Sequence, residues 1–156
     1  MSEQGPVDLV LGALRDARVA AEVRRFSDPV PTAAAAAEAL GCDVGAIANS
    51  LVFDADGAPL LVLASGAHRV DTAKVAALIG ARRVRRAAPE FVLSATGQEV
   101  GGVAPVGHPA PLRTVVDVDL AAFPVLWAGG GDHHTMFAAT YDELLRLTGG
   151  DAASVA

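Results

Sequence analysis

The chain has 156 residues, a formal net charge of -6 and a hydrophobic fraction of 52%, of which aromatic residues make up little: they are 4% of the chain. A chain of this length is expected to form one domain that buries roughly two-thirds of the surface its unfolded form exposes. The acidic balance excludes a general polyanion binder, and the shortage of aromatics excludes an extended base-stacking platform.

The opening "MSEQGPVDLVLGAL" carries no basic run ahead of an apolar core, so no signal peptide is expected. Pro6 to Ala20 places Val7, Val10, Leu11 and Leu14 at helical spacing, with Pro6 as a first-turn residue, and predicts an amphipathic helix. "EVRRF" predicts a short strand, and "DPVPTAAAAAEALG" a helix capped by Thr32, stopped by Gly41 and small enough in its side chains to lie close on a sheet. Cys42 follows. As the only cysteine it rules out an internal disulfide, agrees with a reducing cytosol and reads as a plain thiol.

"SLVFD" and "PLLVLA" predict two strands joined through Asp56-Gly57, a strong hairpin signal; the second is apolar throughout, which points to a central strand covered on both faces. "SGAHRVDTAKVAALIGARRVRRA" predicts a turn at Gly66, a helix capped by Asp71, and a short strand. "APEFVLSATG" predicts a helix opened by Pro89 and ended by Gly97, and "GGVAPVGHPAP" a rigid loop. "LRTVVDVDLAAF", "VLWAGGG" and "TMFAAT" predict a strand, a helix and two further strands, "YDELLRLTGG" predicts a closing helix, and Asp151 to Ala156 is expected to fray. No stretch reaches the roughly 18 uncharged apolar residues of a membrane span. Hairpins mixed with single helices predict an α+β fold with a mixed, largely antiparallel sheet.

Four features bear on chemistry. Under period-two alternation Asn49 shares a face with Leu51 and Phe53, and Ser50 the opposite one with Val52 and Asp54. An amide among a strand's apolar residues is either the end of a preceding helical turn or the floor of a pocket. "GGVAPVGHP", Gly101 to Pro109, either crosses between elements or presents backbone N–H groups to a carbonyl oxygen, as ester and amide hydrolysis require. In "AGGGDHHTMF" the glycines could cradle an anion; adjacent His residues point to opposite sides of an extended chain, and no HExxH or Cys pair completes a metal site, so neither metal nor cofactor is expected. "RRVRR", Arg82 to Arg86, is either a solvated edge strand blocked by charge or a contact for nucleic-acid phosphate. GxSxG and P-loop patterns are absent. Of the 12 Lys and Arg residues 11 are Arg, the cation suited to bidentate phosphate contacts.

In their order and spacing, "TAAAAAEALGCDVGAIANSLVF", "SGAHRVDTAKVAALIGARRVRRAAPE", "TGQEVGGVAPVGHP", "VDVDL", "LWAGGG" and "ELLRLTGG" make the chain resemble the YbaK family of aminoacyl-tRNA editing proteins, free-standing relatives of the editing domain of bacterial prolyl-tRNA synthetases. The resemblance covers about Glu22 to Gly150 within a single domain over residues 1–150 that includes the N-terminal helix. It implies a sheet curled into a partly closed barrel with surrounding helices. It implies hydrolysis of the ester joining a wrong amino acid to the terminal ribose of a tRNA, with the neighbouring ribose hydroxyl assisting, in the cytoplasm.

Under the resemblance the GxxxP loop is Gly101 to Pro105. Asn49, Gly101 and Gly102 would serve the chemistry, while Ser50, Val103, Ala104, Pro105, Gly107, Gly130, Gly131 and His134 would line the aminoacyl pocket. Arg83, Arg85 and Arg86 would touch tRNA. The implied partner is the 3′ end of an aminoacyl-tRNA; the acidic balance points to weak tRNA affinity and so to a synthetase or elongation factor that delivers it, with neither membrane nor DNA expected. An activated ester needs only a positioned water and a stabilised oxyanion, which fits the lack of a catalytic triad. The chain departs from the family in two places. Asn49 stands where the pattern Ile-x-Lys-Ser-Leu-Val-Phe has its Lys, and Val106 where an aromatic is common. Loss of the charge leaves open a second reading, a weakened or inactive module that binds an aminoacyl-adenosine-like ligand or a protein.

Overall fold

The computed structural model describes residues 5–156; the first four, on which part of the signal-peptide expectation falls, lie outside the described residues. The helices are α1 (Pro6–Asp16), α2 (Ala33–Leu40), α3 (Thr72–Ile79), α4 (Pro89–Thr96) and α5 (Tyr141–Thr148). The strands are β1 (Val23–Arg25), β2 (Ile47–Ala55), β3 (Ala58–Ser65), β4 (Val84–Arg86), β5 (Arg113–Asp117), β6 (Leu126–Gly129), β7 (Thr135–Ala139) and β8 (Asp151–Ala153). They form one eight-stranded sheet in the order β1-β7-β6-β2-β3-β5-β8, with β4 attached to β2 outside that path. The β1–β7, β6–β7, β2–β3 and β2–β4 pairs are antiparallel, and β2–β6, β3–β5 and β5–β8 are parallel. The fold is thus the mixed α+β sheet, curled into a partly closed barrel, that the resemblance implies. No helix among the described residues is long and apolar enough to cross a membrane.

Local chemistry accounts for most elements. Thr32 accepts the Ala35 N–H at 3.1 Å and opens α2, and Gly41, at φ 70°, closes it. Ala36 and Ala37 then lie against Ile47, Trp127 and Met136, the close approach that small side chains allow. Asp56 and Gly57 both take positive φ, 53° and 92°, as a two-residue hairpin matched to strand twist requires, so β2 and β3 pair from Ala48↔Ser65 to Ala55↔Ala58. β3 lies between β2 and β5 and is covered on both faces. Leu61 and Leu63 enter the main core with Val10, Leu14, Val103, Phe137 and Leu144, while Leu60, Val62 and Ala64 meet Val75 and Ala76 of α3.

Three expectations are corrected. α1 stops at Asp16 rather than Ala20, because Arg18 takes a left-handed φ of 58° and the Val19 N–H bonds back to the Leu14 carbonyl at 2.9 Å, which turns Val19 into the core. The helix expected after β5 is a single 3-10 turn, Val118–Ala122, opened by Asp117. The terminal residues do not fray: β8 extends the sheet alongside β5, Val155 is fully buried, and Lys74 Nζ bonds Ser154 Oγ and the Ala156 carbonyl. "DAASVA" is too short to show periodicity, yet its one valine finds a socket under α3.

Val155→Ala removes two buried methyl groups and is expected to cost about 1–2 kcal/mol. Urea denaturation should show a lower midpoint at unchanged slope; an unchanged midpoint would restore the frayed tail.

Candidate functional site

The site begins where the sheet is interrupted. One edge of β2 is paired with β3 along its whole length. The other edge pairs with β6 at Ile47–Ala48 and with β4 at Phe53–Ala55, and among the described residues no strand pairs with it from Asn49 to Val52. A cleft of about 710 Å³ opens at this gap. Its walls come from the segment before α2 (Val30 to Thr32), the turn before α3 (His68 to Val70), Arg86 and Ala87, Val92 of α4, the glycine loop at Gly101 and Val103, and Gly129, Asp132 and Met136.

Both Asn49 and Ser50 line this cleft, from opposite faces of the strand. Ser50 lies on the face of Ala48 and Val52, which pack in the core with Val103 and Ala104 of the glycine loop. Asn49 lies on the face of Ile47 and Phe53, whose neighbours are α2 and α3. The hydroxyl, rather than the amide, therefore shares its face with the loop. Ser50 Oγ is also the one buried side-chain oxygen or nitrogen among the described residues that lacks a hydrogen-bond partner, a costly state for a group cut off from water.

The glycine loop is fixed by side chains that sequence patterns did not single out. Gln98 is 1% exposed; its Oε1 accepts the Ala104 N–H at 2.7 Å and its Nε2 donates to the Val106 carbonyl at 3.2 Å. His108 Nε2 donates to the Ala104 carbonyl at 2.8 Å, and His133 Nε2 to the Val100 carbonyl at 2.9 Å. The Gly102 N–H is held by the Glu99 carbonyl at 2.9 Å. Among the described residues no partner takes the N–H of Gly101 or Val103, and these are the two loop residues that line the cleft. Gly101 supplies the bend at φ 90°, and β6 comes so close that a Cβ on Gly129 would sit 2.5 Å from the Val103 carbonyl oxygen.

The remaining residues singled out in the sequence are placed elsewhere. Gly102, Ala104 and Pro105 belong to the loop but not to the cleft wall. Gly107 and Gly131 lie against Val10 of α1, and Gly130 against Thr135. His134 is exposed and bonds the Phe26 carbonyl through Nδ1 at 3.0 Å; of the DHH triplet it is Asp132 that reaches the cleft. The arginine segment divides. Arg86 lines the cleft, Arg85 pairs with Asp54 at 3.4 Å, and Arg83 sits over the hairpin, where the Asp56 carboxylate accepts its backbone N–H.

Sequence reasoning missed His68 and Arg69. Both line the cleft, and His68 is held by Asp117 at 2.7 Å through Nδ1 and by Asp119 at 3.3 Å through Nε2. Asp117 is buried and also accepts the Ser65 N–H. "SGAHRVD" gives only a turn signal, because Asp117, the buried carboxylate that holds the imidazole, lies 49 residues away.

The chain matches the family described as aminoacyl-tRNA editing domain over residues 27–147. It is 32% identical over 124 residues to the uncharacterised protein YwhH of Bacillus subtilis, covering 79% of this chain and 78% of that one. It is 32% identical over 125 residues to the proline–tRNA ligase of Bacillus licheniformis; there it spans 76% of its own length but 22% of the ligase. A crystal structure of a proposed trans-editing enzyme for prolyl tRNA synthetase superimposes with a TM-score of 0.90 at 40% identity, covering 99% of this chain and 98% of that one.

Burial pushes the His108 pKa below the ordinary imidazole value, partly offset by the Ala104 hydrogen bond, so the folded chain favours the neutral ring. A lowered folded pKa gives stability that is present above the unfolded value and lost as pH falls. Between about pH 7 and pH 5 the melting temperature of the wild type should therefore fall more steeply than that of His108→Gln; parallel curves would mean that the loop does not sense this ring.

Proposed function

Since this chain belongs to the aminoacyl-tRNA editing domain family, we propose that it is a trans-acting deacylase that hydrolyses the ester of a mischarged tRNA. The observation that carries this reading is the division of the loop amides: Gly102 and Ala104 spend theirs inside the protein, while those of Gly101 and Val103, the loop residues that line the cleft, have no partner among the described residues. Two N–H donors on a braced loop suit the oxygen of a tetrahedral intermediate, where removing one donor typically costs 10²–10³ in rate. Water attacks the ester carbon, the carbonyl oxygen takes up negative charge against these amides, and the ribose oxygen leaves with a proton. Ser50 Oγ, unpartnered and buried on the same face, would bond the water or the substrate amino group once a turn about its Cα–Cβ bond brings it to the cleft.

Asn49 faces the other side of the cleft, with Arg69 and Arg86 at its rim, and this side suits the terminal nucleotide and its phosphate. Gly102, Ala104 and Pro105 hold the loop in shape. Gly107, Gly130 and Gly131 allow the close packing behind it. A synthetase or elongation factor in the cytoplasm would deliver the tRNA, because an acidic protein with few free cationic groups at its site binds polyanions weakly. Size selection in the apolar part of the cleft, lined by Val52, Val92 and Val103, is worth roughly 1–3 kcal/mol per methylene. Asn49 in place of the family's charged residue supports the second reading, a binding module without turnover.

A panel of mischarged tRNAs, beginning with alanyl-tRNA carrying the prolyl anticodon, separates the two. Deacylation above buffer for at least one species is expected, with Gly101 and Val103 untouched by any variant. No deacylation of any species, together with activity gained in Asn49→Lys, would establish the binding module. Arg86→Ala and Arg69→Ala should each weaken tRNA binding and flatten its salt dependence, with Arg83→Ala as an unaffected control; equal salt slopes throughout would return both arginines to solvent.

A further inference from the structure

The interrupted edge of β2 has a property beyond giving the cleft its floor. Along an extended strand the N–H and C=O of alternate residues point to opposite edges. The Gly66 N–H bonds the Ile47 carbonyl on the β3 side, and the Asp56 N–H bonds the Arg83 carbonyl on the β4 side. Counting from either end gives the same phase: the peptide groups of Asn49 and Leu51 serve β3, and those of Ser50 and Val52 are directed into the gap. The Ser50 carbonyl and the Val52 N–H thus stand side by side on an edge that no strand covers.

We infer that this pair reads the terminal base of the tRNA, the Ser50 carbonyl accepting from the adenine 6-amino group and the Val52 N–H donating to adenine N1. This rests on the deacylase reading and names the group that holds its substrate. Adenine presents a donor beside an acceptor on one planar edge, the complement of an acceptor and a donor two residues apart on a strand edge, and unpaired bases are commonly read this way. A peptide strand does not fit. The gap spans only Asn49 to Val52, on the order of 13 Å at about 3.3 Å per residue, and is closed at one end by β6 and at the other by β4. A flat group entering edge-on does fit, between the apolar surfaces of Ala33, Val70 and Met136, with Arg69 and Arg86 exposed nearby for the phosphate that follows. Guanine, hypoxanthine and uracil reverse this order; cytosine shares it, on a single pyrimidine ring with a smaller apolar face to lie in the cleft. Discrimination against guanine, hypoxanthine and uracil would then come from the backbone pair.

The test uses the intact protein and ligand analogues, so that no variant has to fold. Isothermal titration calorimetry with 3′-(L-alanylamino)-3′-deoxyadenosine, whose amide resists hydrolysis, is compared with the same compound carrying hypoxanthine, 1-deazaadenine or 7-deazaadenine. Hypoxanthine opposes both protein groups and should bind about ten-fold or more weakly. The 1-deaza base loses the Val52 bond and should also weaken, whereas the 7-deaza base, altered on the far edge, should match adenine. Hypoxanthine binding as tightly as adenine, a 7-deaza loss as large as the 1-deaza loss, or no binding of the adenine compound would each overturn the inference. Because binding is read apart from turnover, a protein that clears mischarged tRNA yet ignores the base sinks this inference and leaves the deacylase reading standing.

Discussion

Everything at the site depends on β2 being paired on one edge and interrupted on the other. Its hairpin with β3 anchors it to the centre of the sheet, so the strand does not close over when its second edge is left bare. β6 joins beside Ile47 and Ala48 and then leaves, and β4 takes over at Phe53. An uncovered stretch of backbone inside a sheet would ordinarily be a liability, open to pairing with another chain. Here the gap is short and blocked at both ends, and it forms a polar floor under the cleft. The two faces of the strand then serve different ends: Ser50 looks toward the glycine loop, and Asn49 toward α2 and α3.

The glycine loop works against this floor because it is rigid. Gln98 spends both ends of a fully buried side chain on it, His108 takes its Ala104 carbonyl, and His133 takes the carbonyl of Val100 just before it. Such bracing settles which N–H groups remain for a ligand before any ligand arrives, the condition under which dipoles stabilise developing charge without reorganising. Val106, standing where an aromatic is common in the family, is buried in the same core as Val10 and Val103, so its size shapes the support of the loop and not the cleft wall.

Elements with strong local signals were legible from the residues alone. The capped alanine helix, the Asp56-Gly57 hairpin and the all-apolar β3 each follow from short-range chemistry and are found where expected. So were the glycine loop and the odd character of Asn49 and Ser50 at the mouth of β2. What sequence could not give was how distant segments meet. The gap itself is a matter of which strands stop where. The dependence of His68 on Asp117, the capture of the loop by Gln98 and the socket for Val155 are long-range contacts with no periodic signature. The resemblance points to His134, but a single residue of phase along the chain decides which of the triplet meets the cleft, and it is Asp132 that does.

The central claim is that the Gly101 and Val103 amides are the ones held ready for the scissile carbonyl. Backbone ¹H–¹⁵N spectra recorded while a phosphonate analogue of the tetrahedral intermediate, built on alanyl-adenosine, is titrated in test it most directly. The Gly101 and Val103 resonances should move downfield together, with those of Gly102 and Ala104 left nearly in place. Large shifts confined to Gly102 and Ala104, or none in the loop at all, would contradict the account.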